Sequence, residues 1–363
     1  MRVSVPGIPQ AILAAAGSSP APSLPAAIER ISTFLAPGNA TVITGAGVSV
    51  DSGIRAYRGK DGRYTNPNYK PIFYHELIDE TPRGYAFRQR YWLRSYLGYP
   101  PVRDALPNTT HYALAALQYA GLVPRLITQN VDGLHHKALR GVWDEARLRE
   151  RILELHGTLH KVHCNHGHTV DRETFQDWLS AANPQWKAYA DDLERTGRQP
   201  RTNPDGDVVL EGVEYETFVV PHCPSCMLEG RRNSVLKPEV IFFGESIRQQ
   251  VRERSFEDVE KGDRLFVVGT TLATYSAFRL LKHALQLKKP VLMLNVGPTR
   301  ADSIAELDKI DLPTSAVLRE VVKALVGVRA VEDPVIREML ASGITRPPLD
   351  DDGEDVTGPG AAG

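Results

Sequence analysis

Four short runs constrain the fold most: TVIT (41–44), RLITQN (125–130), RLFVVGTT (264–271) and VLMLNVG (291–297). Each is mostly apolar and then breaks into a polar or glycine-bearing turn. Strands buried on both faces read this way, because a parallel sheet covered by helices has no wet face on which polar residues could alternate. Helical patterns stand before or between them: AAIERISTFLA before the first, HYALAALQYAG before the second, FRLLKHALQLKK between the last two. Alternating strands and helices predict an α/β fold with a doubly wound parallel (Rossmann-like) sheet, whose ligands lie at the carboxyl ends of the strands. The loops GAGVSV, TQNVDGLH, GTT and NVG all fall at that edge.

The chain has 363 residues, 42% of them hydrophobic, which is enough for one large unit and a smaller one. A formal net charge of −1 supplies no basic excess, so nucleic acid is not an expected partner. No apolar stretch reaches the ~18 residues a membrane span requires. Three cysteines argue against a disulfide framework and for a reducing compartment. Residues 1–27 contain no acid and only Arg2 as a base, which fits an unstructured arm or a transit segment. Residues 346–363 read as a disordered acidic tail.

Between 158 and 235 the alternation stops, and all three cysteines occur there. Cys223 and Cys226 form a Cys-x-x-Cys knuckle, half of a tetrahedral zinc site. The other half is offered by HCNHGH, as Cys164 with either His166 or His168. The segment therefore reads as a smaller inserted zinc-binding module, and the long gap inside it predicts a helix and a hairpin. The flanking stretches 28–157 and 236–328 form the large unit, with a helical flap region over about 55–106.

The first loop, TGAGVSVDSGIRAYRG from Thr44, leaves a strand with the glycines of a phosphate cradle. A dehydrogenase fingerprint needs a third glycine, and Val50 occupies its place.

GAGVSVDSGI, TQNVDGLH, ELHG, the split cysteine module, FFGE, GTT and LNVGPT, in this order, resemble the sirtuin family over about residues 28–325. RQRYWLRSYLG, NPDGDV and LNVGPTRAD are most similar to its class II mitochondrial branch, associated with lipoamidase and ADP-ribosyltransferase activities. The resemblance implies an NAD-dependent protein-lysine deacylase, a transferase that consumes NAD and carries structural zinc. It also implies a mitochondrial matrix location and acylated lysine on proteins as the substrate. The oligomeric state stays open.

The same resemblance implies residue roles. Gly45, Ala46 and Gly47 approach the pyrophosphate, with Ser49 also binding the cofactor; Gln129, Asn130 and Asp132 hold the nicotinamide-side ribose and amide. Gly269, Thr270 and Thr271 receive phosphate and the adenine-side ribose, with Asn295 and Gly297 beside it. Val240, Phe242, Gly244 and Glu245 pair with an extended substrate peptide. Loss of nicotinamide leaves positive charge on the ribose, so a held amide oxygen suffices as nucleophile. A ribose hydroxyl must afterwards be activated by a base, a task that suits histidine. His156 of ELHG matches that base, with Asn130 and Asp132 as catalytic partners.

Tyr57 and Arg58 match the aromatic and cation of a flap over nicotinamide. Arg55 and Ala56 stand where the family pattern has Pro and Asp, which loosens the backbone and removes a carboxylate. Tyr91 and Arg94, three apart on one helix face, match a pair that grips acidic acyl groups, so longer or acid-bearing acyl groups are expected over acetyl. Two alternatives share these loops: a protein mono-ADP-ribosyltransferase, and a weakly active NAD-sensing module.

Overall fold

A computed structural model describes residues 7–15, 22–58, 71–198, 202–208, 210 and 213–348. Most of the acidic tail, the arm residues 1–6 and 16–21, and flap residues 59–70 lie outside the described residues. Within the arm, Gln10–Ala15 is a short helix.

The four apolar runs become β1 (Ala40–Thr44), β2 (Arg125–Thr128), β7 (Arg264–Val268) and β8 (Val291–Leu294). β3 (Ile152–Glu154) and β9 (Asp308–Ile310) complete a six-stranded sheet of order β3-β2-β1-β7-β8-β9. Every pairing in it is parallel. β9 escapes a reading by hydropathy because it is only three residues, two of them charged.

Alternate side chains of each strand enter two different cores. Val42, Leu126, Phe266 and Leu292 join the cluster under the helices Leu24–Leu35, Thr109–Tyr119 and Thr314–Val326. Ile43, Ile127, Val267 and Met293 join the cluster under Gln249–Lys261 and Tyr275–Gln286. Both faces are dry, which is why the runs do not alternate. β1 lies at the sheet centre between β2 and β7, where the direction of winding reverses, and a crevice opens there beyond the carboxyl ends of the strands.

A second sheet is antiparallel, in the order β5-β4-β6: β4 (Gly157–Cys164), β5 (Thr169–Asp171) and β6 (Leu236–Val240). The gap between the cysteines holds two helices, Arg172–Ala182 and Pro184–Thr196, and an antiparallel bridge of Thr202 with Val208. The helix Pro82–Asp104 sends Tyr91, Trp92, Tyr96 and Leu97 into the same core as the cysteines, so two separated segments build the small unit.

After the large unit the chain turns back. The helix Pro334–Ala341 packs on Thr109–Tyr119, and the Arg346 amide donates to the Asp51 carbonyl at 2.7 Å, beside the first loop. Among the described residues no helix is long and apolar enough to cross a membrane.

Candidate functional site

The crevice contains a cavity of about 730 Å³. One side is made by interlocking loops after β1 and β7. The Gly47 amide donates to the Gly269 carbonyl at 2.9 Å. A Cβ on Gly47 would lie 2.7 Å from that oxygen, and one on Gly45 would lie 2.7 Å from Thr270 Cβ. Gly269 itself has φ +58°. Gly45, Ala46, Gly47, Gln129, Asn130, Gly269, Thr270, Thr271 and Asn295 all face the cavity. Gln129 bridges three loops, donating to the Thr44 carbonyl at 3.1 Å and Thr270 Oγ1 at 2.9 Å while accepting from Thr274 Oγ1 at 2.9 Å. Gly297 does not line the cavity; its amide donates to the Asp311 carboxylate at 3.1 Å, and the neighbouring Val296 lines the wall.

Ser49 and Asp132 lie beneath this floor. Ser49 is fully buried; its hydroxyl donates to Asp132 Oδ2 at 2.7 Å and accepts from Asn130 Nδ2 at 3.1 Å. His111 Nε2 sits 3.4 Å from the same hydroxyl. Its Nδ1 lies 3.0 Å from Asn108 Oδ1 and 3.3 Å from the Asn108 amide, so both ring nitrogens are held within the buried network. Burial pushes the His111 pKa down to about 4, in keeping with a neutral ring. The sequence reading took 111–121 only as a helix and missed Asn108 and His111. The available signal was their capping-box spacing at the helix start.

His156 stands where the chain leaves the parallel sheet for the antiparallel one. Its carbonyl accepts the Ile241 amide at 2.9 Å. Its Nδ1 lies 3.2 Å from the Gln129 carbonyl, which can only accept, so the ring proton is there. Nε2 is then bare, accepts from Ser276 Oγ at 2.7 Å and belongs to a ring that lines the cavity. Burial drives its pKa down to about 4. The arrangement provides a neutral acceptor where the two sheets meet. Thr274 and Ser276, which hold Gln129 and His156, were missed; single hydroxyls at a helix start carry no periodic signal.

The facing wall is the turn after β6. Val240, Phe242, Gly244 and Glu245 all line the cavity, with Gly244 at φ +84°. The buried Lys237 anchors this turn: Nζ donates to the Val240 carbonyl at 3.0 Å and pairs with Glu245 Oε1 at 3.2 Å. The other oxygen of Glu245 accepts the Phe242 amide at 3.0 Å. Phe242 meets the edge of Tyr91 at 5.6 Å, and Tyr91 also lines the cavity. Arg94 does not. Its guanidinium is held by Asp207 Oδ2 at 2.7 Å and the Val208 carbonyl at 2.6 Å, because the almost fully buried Asp207 carboxylate requires a cation. Ala56, Tyr57 and Arg58 line the cavity, and Arg55 is not among its walls.

The cysteines converge with His168: one donor atom from each of Cys164, His168, Cys223 and Cys226 lies within 4.8 Å of the others. His168 Nδ1 is 3.4 Å from Cys164 Sγ, 3.6 Å from Cys223 Sγ and 3.4 Å from Cys226 Sγ. A tetrahedral zinc with sulfur at 2.3 Å and nitrogen at 2.0–2.1 Å sets donors roughly 3.5–3.8 Å apart, so the residues fit the ion. His168 Nε2 meets Glu229 at 3.3 Å, the carboxylate support usual behind a ligating imidazole. His166 is the excluded alternative; its Nε2 donates to the Arg232 carbonyl at 2.8 Å.

A switch-point crevice with glycine loops, a neutral histidine at its centre and a Cys3His module beside it defines a dinucleotide-using enzyme with a structural zinc unit. Residues 45–276 match the Sir2 family, and the chain belongs to that family: it is a sirtuin-type enzyme that uses NAD. It is 42% identical over 293 residues to "NAD-dependent protein deacylase SIR4" of Batrachochytrium dendrobatidis, covering 79% of this chain and 90% of that one. It is 37% identical over 272 residues to "NAD-dependent protein lipoamidase sirtuin-4, mitochondrial" of Bos taurus, covering 74% and 77%. Among solved structures it resembles a Sir2 homolog–NAD complex with TM-score 0.57 and 26% identity, over 82% of this chain and 93% of that one.

Proposed function

We propose that this sirtuin removes acyl groups from lysine on proteins, consuming NAD and releasing nicotinamide, acyl-ADP-ribose and free lysine. The observation that carries the proposal is His156: its unprotonated Nε2 belongs to the one imidazole that, among the described residues, lines the cavity. NAD supplies an electrophilic ribose carbon once nicotinamide departs. The chain's residues do the rest. The backbone of Gly45–Gly47 and Gly269–Thr271 receives phosphate. Asn130, oriented through Ser49 and Asp132, holds the nicotinamide-side ribose, and Asn295 lies by the adenine side. The β6 turn and Phe242 hold the acyl-lysine. His156 accepts a proton from a ribose hydroxyl and passes it on, with Tyr57 and Arg58 excluding water.

For the acyl group we favour long chains over acetyl. Phe242 and Tyr91 offer an aromatic wall, and the pairing of Arg94 with Asp207 withdraws the carboxylate grip that the Tyr-x-x-Arg spacing implied. A mitochondrial matrix location is supported by the name of the bovine relative. The test is mass spectrometry of products from the purified protein with NAD and a panel of acyl-lysine peptides, with His156→Ala alongside. Acyl-ADP-ribose made by the native protein, and at least ~100-fold less by the variant, supports the proposal. ADP-ribosylated protein with no acyl-ADP-ribose selects the transferase. NAD binding with no product selects the sensing module.

A further inference from the structure

Beyond the cofactor loops the cavity opens on a rim of different character. The turn after β6 continues through Ser246 and Ile247 into the helix Gln249–Lys261, which contributes Arg252. The helix Tyr275–Gln286 contributes Tyr275, Ser276 and Arg279. Tyr275 and Arg279 are one turn apart and share a helix face. The Arg279 guanidinium rests 5.2 Å from the ring of Phe256, and Phe256 follows Arg252 by one turn. The Arg279–Phe256 contact thus ties together the two helices that carry the arginines, and both arginines line the cavity.

Neither arginine is neutralised. Among the described residues no carboxylate comes within ion-pair distance of either, whereas Arg248 pairs with Glu239 at 2.9 Å and Arg254 with Asp258 at 3.4 Å on the same helix. Glu253, next along the helix, is engaged by Gln249. The acid of this wall, Glu245, already balances Lys237. The other acids lining the cavity, Asp51 and Asp205, come from the loop after β1 and the loop beside Asp207. The rim next to the β6 turn therefore carries two uncompensated cations, one step outside His156, whose Nε2 is held by Ser276 on the same helix turn as Tyr275.

We propose that Arg252 and Arg279 select protein substrates whose acyl-lysine is flanked by acidic residues. The inference rests on the deacylase reading and names the substrate class of that site. A peptide lying along the β6 turn passes this rim, and an Asp or Glu beside the acyl-lysine meets an arginine fork at the mouth, where complementary charge raises capture more than it changes the chemical step.

The test uses the full chain, NAD and peptides sharing one acyl-lysine but differing in flanks: Asp/Glu, Ala, or Lys/Arg. Native protein should show kcat/KM roughly tenfold higher for acidic than for neutral flanks, the order expected of two ion pairs at a solvent-facing rim. The preference should appear in KM and shrink as salt rises to about 0.5 M. Arg252→Ala with Arg279→Ala should bring the ratio near one, and the double Glu substitution should invert it toward basic flanks. An acidic-to-neutral ratio near one in native protein, or a ratio unmoved by the substitutions, overturns the proposal. So does an Arg279→Ala effect confined to the KM for NAD, which would assign that cation to the cofactor's phosphates. If native protein turns over no peptide yet binds NAD, the deacylase reading fails instead. Fluorescence anisotropy of the same labelled peptides then reads the ratio, with the same two outcomes.

Discussion

The two halves of the crevice are held together by different physics. The parallel sheet is mostly apolar: β1, β2, β7 and β8 bury every residue but the leading arginines, and two apolar clusters cover the faces. The small unit puts charge and sulfur inside. Its core surrounds a fully buried Arg172 stacked over Tyr99 at 4.3 Å, a Lys237 that is 2% exposed, and the Cys3His cluster. A large covered sheet draws stability from area removed from water. A three-stranded sheet is too small for that and depends on discrete partners, each costly to lose.

The sharpest way to break this comparison is to remove the cluster. Cys223→Ser with Cys226→Ser should abolish zinc binding, measured by stoichiometry, and abolish deacylation. Far-UV circular dichroism should retain most of the helical signal, because the large sheet does not depend on the ion. His166→Ala should keep one zinc per chain, since that ring only donates to Arg232.

Next in size is Lys237→Met. It strands Glu245 beside the cavity, and breaking such a buried pair costs about 3–5 kcal/mol. The loss should appear as faster hydrogen exchange at residues 236–245 and a raised KM for peptide. Little change in the KM for NAD is expected.

Gly47→Ala probes the other side. The new methyl meets the Gly269 carbonyl at 2.7 Å, both partners being backbone, so the loops after β1 and β7 must separate. A rise of roughly tenfold or more in the KM for NAD is expected, with a loss of about 1–3 kcal/mol from overpacking, read as a lowered urea midpoint. An unchanged KM for NAD would remove the case for that loop as the phosphate cradle.

The smallest effect per residue is acid sensitivity. His111, His136 and His156 are held neutral by burial with pKa values of about 4, against an ordinary value of 6.5. Between those values the unfolded chain binds more protons than the folded one. Their contribution is therefore complete above pH 6.5 and declines as pH falls toward 4. Urea midpoints measured with zinc from pH 7.5 down to 5 should drop. His111→Asn, which keeps a side-chain donor without the titration, should drop less steeply.

The sequence by itself determined the layered fold and the edge at which chemistry happens. Buried parallel strands must be apolar, glycines are required where two loops touch, and both patterns are local enough to read along the chain. It also determined that three thiols needed a common partner. Only tertiary structure decided which histidine joined them, since Cys164 and Cys226 meet across 62 positions and His168, not His166, falls at the fourth corner. It decided that Arg94 answers Asp207, 113 positions away, instead of the cavity that its helix spacing with Tyr91 promised. It decided, too, that Ser49 and Asp132 lie beneath the floor, tied to Asn130 and His111. Spacing places a side chain on a face, but its partner is set by whichever buried charge or lone pair lies nearest once the chain has closed, and that choice is written in no single stretch of sequence.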